Sequence, residues 1–80
     1  MRLKCHVLMR GPGPSETTVA ISTADGNEEV VVDAALIDDN GLEVSRILER
    51  TKDQALVELP RESASGRWRV WVPRSTLASA

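Results

Sequence analysis

Few side chains in this sequence could carry covalent or acid–base chemistry, and their spacing argues against it. His6 is the single histidine and Cys5 the single cysteine. A histidine acting as general base needs a nucleophile and an orienting acid beside it. The stretch Arg2 to Arg10 contains no serine, aspartate or glutamate. On an alternating strand His6 falls on the outer face with Arg2 and Lys4, as a solvated side chain, and Cys5 falls on the inner face as a small hydrophobe. One cysteine and one histidine do not make a four-ligand zinc site. Asp38-Asp39-Asn40-Gly41 gathers oxygen ligands, but a helical calcium loop spreads its ligands over about twelve residues. Asn-Gly is also the dipeptide of a tight hairpin. Gly11-Pro12-Gly13-Pro14 lacks the glycines and the following lysine of a phosphate loop. Ser63 and Ser65 have no activating base nearby in sequence. These residues predict no catalytic group, no metal site and no cofactor.

The elements that would position these residues read as strands. Nine valines, three isoleucines and five threonines are interrupted by turn signals at short intervals, the pattern of an all-β sandwich or barrel. Six strands are expected. The first spans 2–10, with Leu3, Cys5, Val7 and Met9 inward. Gly11 to Ser15 is a loop, and 17–23 is the second strand. Asp25-Gly26 turns into a third strand over 28–37, and Asn40-Gly41 turns into a fourth over 42–50. A parity slip between Val44 and Ile47 predicts a bulge or bend there. The fifth strand covers 54–59 and stops at Pro60; the sixth covers 67–72 and stops at Pro73. Arg74 to Leu77 is expected to form one helical turn. A weak internal echo relates Val30-Val31-Val32-Asp33-Ala34-Ala35-Leu36 to Val70-Trp71-Val72-Pro73-Arg74-Ser75-Thr76-Leu77, with one residue inserted.

Eighty residues, 41% hydrophobic and 28% charged, suit one small soluble domain, expected over 1–77 with 78–80 as a frayed tail. No run reaches the roughly 18–20 apolar residues of a membrane span. The apolar run near the start is too broken for a secretory signal. A cytoplasmic location without membrane attachment is the expectation.

Val70-Trp71-Val72-Pro73-Arg74-Ser75-Thr76-Leu77 resembles the late strand and following helical turn of SH3-like small barrels. The resemblance implies a small antiparallel SH3-like barrel of five or six short strands. In that family the proline of this turn and a nearby tyrosine line a groove for proline-rich peptides. Pro73 matches, whereas Thr76 stands at the aromatic position, and the chain contains no Tyr or Phe.

Charge is uneven along the chain: residues 15–40 carry seven acids and no base, while both ends are basic. In the sixth strand Trp68, Val70 and Val72 share one parity and Arg67, Arg69 and Trp71 the other. Trp68 is therefore expected in the core and Trp71 outside. If the first and last strands adjoin, Arg2, Lys4, His6, Arg10, Arg67, Arg69 and Trp71 merge into one basic–aromatic surface. Such a surface suits a non-enzymatic interaction module that binds a protein partner or a second copy of itself. The alternative is a small nucleic-acid-binding barrel that stacks bases and neutralises phosphates.

Overall fold

The computed structural model describes residues 1–78. Ten short strands form three antiparallel sheets: β1 (Arg2–Lys4), β2 (His6–Arg10), β3 (Glu16–Thr23), β4 (Gly26–Asp33), β5 (Ile37–Asp38), β6 (Gly41–Glu43), β7 (Ile47–Arg50), β8 (Gln54–Glu58), β9 (Arg69–Pro73) and β10 (Leu77–Ala78). Single 3-10 turns at Ala34–Leu36 and Arg74–Thr76 follow β4 and β9. The sheets have the orders β2-β3-β4, β7-β8-β9 and β10-β1-β6-β5. The all-β, antiparallel expectation holds, and among the described residues no sheet closes into a barrel.

The same architecture is built twice. Val7, Val19 and Val30 lie opposite one another across β2-β3-β4, as do Ile47, Val57 and Val70 across β7-β8-β9. The register slips once in each sheet, between Val7 and Met9 and between Ile47 and Glu49. The amide of Cys5 donates to the carbonyl of Asn40, and that of Val44 to the carbonyl of Met1. The echo noticed in the sequence is part of this repeat, without the inserted residue. Ile37 and Leu77, forty positions apart, both follow the 3-10 turn and pair with Leu42 and Leu3.

The core repeats with the fold. One buried cluster takes Leu3, Cys5, Val19, Ile21, Val30 and Val32 from the first half, and Leu42, Val44, Val57, Leu59, Val70 and Val72 from the second. Burying an aliphatic side chain of this size stabilises by about 1.5–3 kcal/mol, so the shared cluster is the main adhesive between the halves.

The 3-10 turns reach one geometry by two chemistries. Asp33 enters the first at φ −62° and accepts a hydrogen bond from the amide of Ala35. Pro73 enters the second at φ −60° with no side-chain cap; its ring fixes the φ that Asp33 adopts freely. Thr76 adds a hydroxyl bond to the carbonyl of Pro73 at 2.7 Å.

Several expectations need correction. The single strand over 2–10 is two strands that bend at Cys5 and join different sheets. Leu3 and Cys5 are buried, but Val7 is 40% and Met9 61% exposed, because past the bend β2 packs chiefly on β3 and its side chains lie outside the buried cluster. The segment expected as one strand over 28–37 is broken by the first 3-10 turn, and that over 42–50 breaks at 44–46, where the parity slip placed a bend. Both glycine-marked hairpins are present. Gly26 takes φ +111°, whereas at the second turn Asp39 and Asn40 take positive φ and Gly41 does not. Gly41 is instead tightly packed: a Cβ there would lie 3.1 Å from the carbonyl oxygen of Asp38 and 3.2 Å from Cδ of Arg2. Of the tail at 78–80, Ala78 pairs with Arg2, and positions 79 and 80 lie outside the described residues.

Candidate functional site

The expected basic–aromatic surface is divided by the topology. The first and last strands do pair, Leu3 opposite Leu77, but the last strand is β10 and not the arginine-bearing β9. Strand β9 pairs with β8, and the carbonyl of Trp71 accepts from the amide of Ala24 at the β3–β4 turn. Arg67 binds Asp25 at 2.9 Å and approaches Glu28 at 3.8 Å, while Arg69 faces Glu58 at 3.7 Å. Arg2 lies between Asp38 and Glu43 at 3.7 and 3.9 Å. Lys4, His6 and Arg10 are exposed and have no ion-pair partner among the described residues.

Trp68 departs from its expected place in the core, while Trp71 keeps part of its surface outside. Trp68 is 52% exposed and Trp71 is half-buried. Parity fails for Trp68 because β9 starts at Arg69; Trp68 lies in the bend before it and meets the sheet through its carbonyl, which accepts from the amide of Leu59. Trp71 sits in mid-strand opposite Leu56, which shields one flank.

The serines do acquire a carboxylate neighbour. Ser63 and Ser65 donate to the same oxygen of Glu28, at 2.8 and 2.5 Å, and the amide of Arg67 donates to the Ser63 hydroxyl. These two serine bonds, aided by Arg67, hold the Glu28 carboxyl below its ordinary range against the opposing effect of burial. A carboxylate stabilised in this way is a weak proton acceptor. Its role is to pin the loop over 61–66 to β4, which the amide of Ala64 also reaches through the carbonyl of Glu29. Burial pushes the Cys5 thiol up, which suppresses the nucleophilic thiolate.

A hollow of about 450 Å³ runs beside β1. The Arg2–Asp38 pair lies along it with Lys4, Asn40, Thr76 and Leu77. Asp39 and Asn40 there are accounted for by their positive φ in the turn. The hollow holds both signs of charge, and among the described residues no hydrogen bond joins its Ser75 or Thr76 hydroxyl to an acid or base.

The most exposed apolar surface is Val7-Leu8-Met9 in β2, with exposures of 40%, 45% and 61%. Val7 has the parity of the core residue Val19, Met9 that of Thr18, and Leu8 occupies the bulge between them. Consecutive apolar side chains therefore emerge along one edge. Among the described residues no strand pairs with β2 on the side away from β3. Sequence reasoning missed this edge because a clean alternation looks identical in a central and an edge strand. The signal that could have found it is the forty-residue repeat: Leu8-Met9-Arg10 aligns with Leu48-Glu49-Arg50, and glutamate at the matching place marks it as exposed. No protein family, curated protein or solved structure matches this chain.

Proposed function

We propose that this protein is a non-enzymatic protein-interaction module whose contact surface is the β2 edge. The observation that carries the reading is the exposed Val7-Leu8-Met9 run on a strand with an unpaired side. Edge strands normally carry charges or cover that prevent association, and contiguous exposed apolar groups mark interaction sites. Of the residues expected at the surface, Lys4, His6 and Arg10 flank this edge or lie on it. Arg67 and Arg69 are matched by carboxylates, which weighs against phosphate neutralisation along β9 and hence against a nucleic-acid role. Catalysis has no support from the serine–glutamate cluster, for the reason given above. The SH3-like resemblance of residues 70–77 is compatible with β9, its 3-10 turn and β10, but nothing in the reading depends on it.

The test is selection of a peptide display library on the immobilised protein, with Met9→Glu as counter-target, alongside sedimentation velocity over a range of concentrations. Enriched sequences, or self-association, lost in Met9→Glu would support the reading. Neither result, together with single-stranded oligonucleotide binding that weakens steeply with salt, would replace it with the nucleic-acid role.

A further inference from the structure

We propose that the β2 edge takes up an extended peptide strand in which apolar and acidic residues alternate. The inference deepens the protein-interaction reading and rests on it. Three observations specify the occupant. First, among the described residues no backbone hydrogen bond reaches residues 6–10 from anything but β3, so a further strand can add along the outer side. Second, Val7, Leu8 and Met9 offer apolar contact along that side. Third, the cations at this edge, Lys4 and Arg10, have no acid partner among the described residues, unlike Arg2, Arg46, Arg61, Arg67 and Arg69 though like Arg50, Lys52 and Arg74 elsewhere, and nothing acidic on the edge itself competes for them. An added strand with glutamate or aspartate beside Arg10 gains the favourable cross-strand pairing of opposite charges.

A second copy fits this edge less well. Two β2 strands paired antiparallel about Leu8 would set Arg10 against the other copy's His6 at both ends. That pairing gives neither Arg10 a carboxylate, so it lacks the cross-strand gain an acidic strand would bring. The internal repeat supplies a control on the apolar part. Strand β7 has the same place and the same bulge, but carries Glu49 where β2 carries Met9.

The probe is a capped, fluorescein-labelled peptide of about seven residues alternating valine and glutamate, long enough to span β2. Fluorescence anisotropy should show saturable binding, weakened about tenfold or more by Met9→Glu and by Arg10→Glu. Amide exchange should slow at residues 7–10 on binding. Met9 and Arg10 are exposed, so both variants should fold, which matching thermal midpoints would establish. Equal binding of a valine–lysine peptide would overturn the charge assignment, and slowed exchange elsewhere would overturn the strand addition. A dimer lost in Met9→Glu without peptide affinity would overturn the acidic peptide while leaving the interaction reading standing. A monomer that binds neither peptide and enriches no library sequence would overturn both.

Discussion

Strands β2 and β7 occupy matching places in the two halves and differ in what they show to solvent. Val7 and Leu8 are exposed, whereas Ile47 and Leu48 are half-buried, and Ile47 packs against the core. Met9 in one corresponds to Glu49 in the other. Just before β9 the contrast runs the other way. Glu28 of β4 is buried under two serines, and the matching Trp68 of the second half is exposed. A backbone built twice thus separates what the fold requires from what each half does with its surface. The paired core residues are the requirement, and the mismatched pairs Met9/Glu49 and Glu28/Trp68 are where the two halves diverge.

The largest expected effect tests the equivalence of the halves. Leu3 and Leu42 lie opposite each other in β1 and β6, and both are fully buried. Leu3→Ala and Leu42→Ala should each cost about 2–5 kcal/mol in denaturant unfolding. Costs that differ by more than that range would break the claim that the halves share one core on equal terms.

The tryptophans come next. Trp71→Ala should cost about 2 kcal/mol or more, because most of its surface is withdrawn from water, and Trp68→Ala less than about 1 kcal/mol. Acrylamide should quench the Trp68 fluorescence of a Trp71→Phe variant more readily than the Trp71 fluorescence of a Trp68→Phe variant. The reverse order would return Trp68 to the core.

A smaller, pH-dependent effect sharpens the Glu28/Trp68 contrast. The carboxyl of Glu28 is depressed in the fold by the Ser65 and Ser63 hydroxyls. Its stabilising contribution is therefore fully present above the ordinary carboxyl range, and is lost as pH falls through the lower folded value. Stability measured from pH 6 downward should decline on acidification, and Ser63→Ala with Ser65→Ala should make part of that decline disappear. An unchanged acid limb in the double variant would mean that the serines do not hold the charge.

The smallest effect on stability belongs to the edges. Met9→Glu should leave the thermal midpoint within the narrow range of surface substitutions, about 0.5 kcal/mol. Glu49→Met, which gives β7 the apolar character of β2, should increase oligomerisation by sedimentation. If Glu49→Met stays monomeric at every concentration, exposed methionine on such an edge is not sufficient for association.

Much of this architecture was legible in the sequence because strands and turns leave local marks. Asp25-Gly26 and Asn40-Gly41 placed both hairpins, and the slip between Val44 and Ile47 located a break; the prolines marked strand ends only approximately, since β8 stops at Glu58 before Pro60 and Pro73 is the last paired residue of β9. Residues 2–10 were misread because alternation reports period and not neighbours, so an edge strand and a core strand look alike. Trp68 was misread because parity holds only inside a strand, and its strand begins one residue later. The Glu28–serine cluster was invisible because it joins residues 35 and 37 positions apart.

The sheet order β10-β1-β6-β5 has a consequence for how the chain folds. Each half gives its closing strand to the other: β5 pairs with β6, and β10 with β1. Neither half can complete its own sheet, so the first half excised at the turn around Asn40 would leave β5 without its mate and half the core open to water. Pairing Leu3 with Leu77 must bring together residues from opposite ends of the chain, and such closure is slow relative to local hairpins. The β3–β4 and β8–β9 pairs are thus placed to form early, with the interlocked central sheet forming last and locking both halves at once. Residues of that sheet should have little influence on the refolding rate and a large one on the rate of unfolding.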